Sequence, residues 1–143
     1  MIELYRPLLY SVIMKYKING GVTYSCRYRV IWCSKLRRNV LVDGAERRLE
    51  ELIKEVAVLH AAEIIKLEIL PDQVHLLLEI DPQYGIHRLV RQLKGQTSRV
   101  LRQEFSWIKS RIPTLWTSNY LVCTVGEESV TMIERFIETQ KFI

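Results

Sequence analysis

Pro71-Asp72-Gln73-Val74-His75-Leu76-Leu77-Leu78-Glu79-Ile80 is the most informative run in this chain. As a β-strand it sends alternate side chains to opposite faces. Val74, Leu76, Leu78 and Ile80 then make one apolar face, while Gln73, His75, Leu77, Glu79 and Asp81 line the other. An imidazole, an amide and a carboxylate on one open sheet face suit a hard or borderline cation such as Mg²⁺ or Mn²⁺. A half-buried edge strand with a solvated polar face has the same pattern, so the neighbouring segments must decide.

Upstream, Ala62 to Leu70 predicts a second strand, with Ile65, Leu67 and Ile69 on one face and Lys66 and Glu68 on the other. Pro71-Asp72 is tight enough to make the two strands a hairpin. Asp43 offers an N-cap, with Glu46 three residues on in the capping-box position. Ala45, Leu49, Leu52, Ile53, Val56 and Leu59 then recur at helical spacing. Thr23 to Ser34 predicts another strand, with Tyr24, Cys26, Tyr28, Val30 and Trp32 inward and Thr23, Ser25, Arg27 and Arg29 outward. It runs into the basic loop Lys35-Leu36-Arg37-Arg38. Residues 1–21, ending in the turn signal Asn19-Gly20-Gly21, read as a loosely attached arm, and 22–143 as a single domain.

Downstream, Asp81-Pro82 breaks the strand. Ile86, Leu89, Val90, Leu93, Thr97, Val100, Leu101 and Phe105 predict a long helix, with Arg88, Arg91, Lys94, Ser98, Arg99 and Arg102 outside its apolar stripe. Gly95 within it implies a kink, a close approach of another backbone, or a tolerated cost. Residues 106–117 read as a connection, Tyr120 to Val125 as a strand, and Val130 to Phe142 as a last helix capped by Ser129. Strand, helix, strand, strand, helix, strand and a terminal helix make an α+β, ferredoxin-like βαββαβ domain, with one sheet face under two helices.

The 143 residues are 48% hydrophobic with six Gly and four Pro, which allows one domain with a real core. No apolar run approaches a membrane span, and Glu3 ahead of the Leu8–Met14 patch argues against a signal peptide. Cys26, Cys33 and Cys123 lack CxxC spacing and read as reduced thiols of a cytoplasmic protein. The net charge of +5 is unevenly spread. Lys15 to Arg38 holds seven bases and no acid, Tyr84 to Arg111 seven bases and one acid, and Asp43 to Asp81 ten acids and four bases. Basic runs placed on predicted elements rather than tails point to a polyanion such as nucleic acid.

Several blocks in order resemble the small HUH-type single-strand DNA transposases of the simplest insertion sequences. They are Val30 to Arg38, Leu67 to Leu77, Leu93 to Arg99, Leu115-Trp116 through Tyr120-Leu121-Val122, Thr124-Val125-Gly126, and Ile133 to Gln140. The resemblance implies a dimer that binds single-stranded or hairpin DNA and a divalent cation. Two histidines flanking a hydrophobic residue and a helix-borne Gln would hold that cation, and a Tyr one turn before the Gln would attack the phosphodiester. Carried onto this chain, the metal set is Gln73, His75 and Gln140, so the first histidine is replaced by Gln73. The nucleophile position falls on Phe136, which has no oxygen to attack with. The phosphate contacts implied are Arg27, Arg29, Lys35, Arg37, Arg38, Arg88, Arg91, Lys94, Ser98 and Arg99.

No other tyrosine is an obvious substitute. Tyr120 matches a tyrosine that such proteins carry in a strand, Tyr24 and Tyr28 face inward, and Tyr84 has no supporting spacing. The sequence therefore leads to a transposase-like protein with deficient cleavage. Its alternative is a catalytically inactive DNA-binding protein derived from a transposase. An RNA-binding ferredoxin-like domain would carry stacking aromatics on its open face, where Arg27, Arg29, His75 and Glu79 are found instead.

Overall fold

The computed structural model describes residues 16–126 and 130–143; the proposed cap at Ser129 and most of the N-terminal arm lie outside them. Chain order gives β1 (Lys17–Asn19), β2 (Val22–Tyr24), β3 (Arg27–Cys33), α1 (Ala45–Leu59), β4 (Glu63–Leu70) and β5 (Gln73–Glu79). These are followed by α2 (Ile86–Glu104), α3 (Ser106–Arg111), β6 (Leu121–Thr124) and α4 (Val130–Thr139), with 3₁₀ turns at Lys35–Arg37 and Gln140–Phe142. The main sheet runs β4-β5-β3-β6, every neighbouring pair antiparallel. Element order and sheet order are those of a ferredoxin-like α+β domain.

Register explains why the alternation was legible. Val30 faces Leu76 and Trp32 faces Val74 across β3 and β5. These four, with Leu78 and Ile80, pack against Leu49, Ile53 and Val56 of α1 and Leu89, Val90 and Leu93 of α2. Burying one such side chain contributes about 1.5–3 kcal/mol. Ile31 and Cys33 are fully buried as well. The end of β3, between two neighbours in the sheet, is covered on both faces.

Five local expectations need correction. The N-cap of α1 is Gly44 (φ 100°), not Asp43, and Glu46 accepts the Gly44 N–H at 3.2 Å. Asp43 itself sits in the left-handed region (φ 53°), so its side chain is not the cap. The inward face of β4 is Ile64, Leu67 and Ile69, and Ile65 is exposed, because a bulge between Ile64 and Lys66 adds a residue and inverts the alternation. The strand expected from Thr23 is broken at Ser25–Cys26 into β2 and β3. Residues 17–24 form a hairpin rather than a loose arm: Lys17 bonds Glu63 and, at 3.3 Å, Glu79, and Asn19 bonds Asp81. The connection at 106–117 includes α3, whose Ile108 is buried.

Gly95 has neither a kink nor a close neighbour. α2 is continuous through it, and a Cβ built there meets nothing within 4 Å. Gly95→Ala is therefore expected to stabilise the chain by about 1 kcal/mol, the helix-propensity difference. Urea unfolding should show a raised midpoint with an unchanged slope; a lowered midpoint would mean the glycine is structurally required.

Candidate metal and nucleic-acid site

β5 begins beside the turn that sets the site. Gln73, 6% exposed, donates from Nε2 to Asp72 Oδ1 at 3.1 Å, and its Oε1 lies 2.6 Å from His75 Nε2. The carboxylate fixes the amide orientation, since a flipped Gln73 would set oxygen against oxygen. His75 Nε2–H is then the donor to Gln73, which leaves the lone pair on Nδ1. Burial, helped by Arg29, pushes the His75 imidazole below its usual pKa, against the pull of Glu68 and Asp72. The ring is neutral at pH 7, the form that ligates metals.

Gln140 approaches the same end of the sheet by another route. α4 ends at Thr139, so Gln140 opens a 3₁₀ turn instead of continuing the helix expected to Phe142. Its side chain is fully buried: Oε1 accepts from Thr117 Oγ1 at 2.7 Å, while Nε2 has no partner among the described residues. Thr117 N–H bonds Cys33 O at 3.1 Å, and Cys33 lies opposite Gln73 in the β3–β5 register. The structure thus joins Gln73 directly to His75, and ties Gln140 to their end of the sheet through Thr117 and Cys33. Gln140 is hydrogen-bonded to Thr117, not to either of the other two. Phe136 is half-buried on α4, and its carbonyl accepts from Thr139 Oγ1.

The donor set suits a hard cation only in part. Gln73 Oε1 keeps a second lone pair for an ion, and His75 would ligate through Nδ1, or through Nε2 once the ring proton moves to Nδ1. The buried amide nitrogen of Gln140 has no partner among the described residues. The set has no carboxylate, and the described residues hold no cluster of three His, Cys, Asp or Glu that could bind a metal. A neutral set of this kind would leave phosphate oxygens and water to complete the coordination.

The basic residues divide into two groups. Arg27 pairs with Glu79 at 3.1 Å, and Arg37 with Asp72 at 2.9 Å. Arg37 also reaches the Ile137 carbonyl, and Leu36 N–H the Ile143 carbonyl, so the loop after β3 docks on the C-terminal segment. Arg38, Arg91 and Arg99 are exposed and have no carboxylate partner among the described residues, and Arg88 lies 4.5 Å over the Tyr84 ring. Lys35, Arg29 and Ser98 are half-buried. Lys94 donates to the carbonyls of Thr117 and Asn119. Thr117 and Asp72 are positioning groups that the sequence did not single out; only their place next to Trp116 and Gln73 hinted at them.

The fold and this site define a small ferredoxin-like protein with a polar site at one end of its sheet and an arginine-bearing helix. The IS200-like transposase family model matches residues 22–140, and the chain belongs to that family, whose members act in DNA transposition. It is 33% identical over 129 residues to the ISDra2 transposase TnpA of Deinococcus radiodurans, covering 89% of this chain and 92% of that protein. It is 26% identical over 119 residues to the transposase for insertion sequence element IS200 of Salmonella typhimurium, covering 82% and 78%. Among solved structures, a candidate transposase from Deinococcus radiodurans R1 superposes with a TM-score of 0.79 at 36% identity, covering 87% of this chain and 97% of that one. A REP-associated tyrosine transposase bound to a REP hairpin shares the fold at TM-score 0.55 and 12% identity, covering 85% and 68%. No helix among the described residues is long and apolar enough to cross a membrane.

Proposed function

We propose that this chain is a homodimeric, hairpin-binding member of its family that holds a divalent cation weakly and does not cleave DNA through a tyrosine. The hydrogen bond of 2.6 Å between Gln73 and His75 carries the reading, because it holds an amide oxygen and an imidazole together where the family resemblance puts the cation. A shift of the ring proton to Nδ1 would free Nε2 for it. Gln73, His75 and Gln140 would hold Mg²⁺ or Mn²⁺. When bound, such an ion neutralises charge on non-bridging phosphate oxygens and eases departure of the 3′-oxygen. The protein's own groups do the rest. The Asp72 carboxylate orients Gln73, Thr117 orients Gln140, and Arg38, Arg88, Arg91 and Arg99 present charge to the strand. Arg27 and Arg37, already paired, hold the scaffold and contribute little to phosphate binding.

Phe136 gives the family's attacking group no counterpart, and favours a second reading as a DNA-binding derivative without chemistry. A dimer is supported by α4: none of its ten residues is buried, and Val130 and Met132 are exposed together with Phe142 and Ile143 beyond it. Binding of labelled hairpin DNA with a single-stranded flank, compared with a blunt duplex of the same sequence, tests the proposal. Hairpin affinity should exceed duplex affinity by about tenfold, or 1.4 kcal/mol, and improve with Mn²⁺. Equal affinity for both would defeat the proposal, and hairpin preference indifferent to Mn²⁺ would leave the second reading.

A further inference from the structure

The segment that holds Gln140 also borders a cation with no carboxylate partner among the described residues. Lys94 of α2 is largely buried, and its ammonium donates to Thr117 O at 2.6 Å and Asn119 O at 3.1 Å. Two carbonyls use two of its three N–H groups. No carboxylate lies within ion-pair range of it among the described residues, and burial pushes its pKa down to about 8. A buried charge normally has an opposite charge beside it, because neutral dipoles alone recover only part of the lost hydration.

What lies beside Lys94 is a pocket of about 220 Å³ lined by His87, Val90, Arg91, Ser118 and Tyr120. It has no acidic wall. Arg91 is exposed and makes no ion pair with a described residue. The Tyr120 hydroxyl lies 2.7 Å from His87 Nδ1, and the two rings stack with centroids 5.9 Å apart. Two cations, a hydroxyl and a stacked aromatic pair around an open space suit an anion.

We infer that this pocket is a phosphate site, in which Lys94 and Arg91 grip one phosphate group of a nucleic-acid strand. Arg91 supplies a planar fork suited to two phosphate oxygens, and Lys94 a point charge beneath it. The site is separate from Gln73 and His75: its side chains come from α2 and the 118–120 segment. It rests on the DNA-binding reading above, which it narrows from a general basic surface to one phosphate pocket.

Inorganic phosphate and the full-length chain provide the first arm of the test. Lysine Cε signals followed by ¹H–¹³C NMR at low ionic strength should show one resonance, Lys94, moving saturably with phosphate and not with chloride of equal ionic strength. Arg91→Ala, a surface change, should weaken that binding about tenfold, the worth of one charge-assisted hydrogen bond. Lys109→Ala, an exposed change outside the pocket, should leave it unchanged. No phosphate-specific movement of Lys94, or full phosphate affinity in Arg91→Ala, would overturn the inference. In the second arm, hairpin DNA binding should fall about tenfold in Arg91→Ala, with a salt dependence shallower by about one ion. A native chain that binds DNA equally well with Arg91→Ala would overturn the strand as the source and leave a free-anion site. Phosphate binding in a chain that binds no DNA would defeat the DNA reading and the strand assignment together.

Discussion

Phe136→Tyr combined with Gln73→His is expected to form a covalent adduct with single-stranded hairpin DNA in Mn²⁺, where the native chain forms none. The physical reason is direct. A phenyl ring has no oxygen, so position 136 of the native chain cannot make the oxygen–phosphorus bond of a phosphotyrosine while the 3′-oxygen departs. Position 136 lies four residues before Gln140, and the carbonyl of Phe136 is already bonded to Thr139, which holds the last turn of α4. Gln73 stands at a proposed ligand position with a neutral amide, so replacing it with an imidazole would strengthen that donor set. Denaturing gel electrophoresis of end-labelled DNA reads the outcome as a shifted, protease-sensitive band. Adduct from the native chain would reveal a different nucleophile; no adduct from the double variant would break the mapping of Phe136 and Gln73 onto the family's site.

Trp32→Ala should have the largest effect on stability. Trp32 is fully buried near the C-terminal end of β3 and meets Trp116 edge-on, with ring centroids 5.9 Å apart. Removing it opens a cavity on the helix-covered face and costs about 3–5 kcal/mol, a large part of the stability of a domain this size. The indole N–H has no hydrogen-bond partner among the described residues, so Trp32→Phe should cost much less. Because Trp116 precedes the Thr117 that holds Gln140, the alanine variant should also loosen the C-terminal segment. Urea midpoints of the two variants test this; an alanine variant within about 1 kcal/mol of native would deny Trp32 its role as anchor.

Whatever depended on local periodicity was visible in the sequence. The alternation of Val74, Leu76, Leu78 and Ile80 and the stripes of α1 and α2 gave the sheet, the helices and their order, since each reports one buried face. Boundaries were harder, for reasons the structure makes plain. The bulge after Ile64 is a property of how β4 pairs with β5, and no alternation within β4 alone reveals it. The start of α1 depends on the left-handed backbone at Asp43 and Gly44 rather than on a capping side chain. The terminal helix ran short because Gln140 turns inward to Thr117. Gln73, His75, Phe136 and Gln140 enter the proposed site only through the resemblance, and the side chains that contact them were not visible in the sequence at all. Asp72 and Thr117 act through contacts with groups distant in sequence, Arg37 for the one and Gln140 for the other. Charge was misleading in the same way: Arg27 and Arg37 look free in sequence, and their carboxylate partners arrive from strands and turns dozens of residues away.

The central claim is that Gln73, His75 and Gln140 serve one cation. Paramagnetic broadening by Mn²⁺ at well below one equivalent, read on the side-chain signals of those residues with hairpin DNA present, tests it most directly. The account predicts that His75, Gln73 and Gln140 broaden together and that Gln73→Ala removes the effect. Broadening confined to the exposed acids of α1, with His75 and Gln140 left sharp, would contradict it.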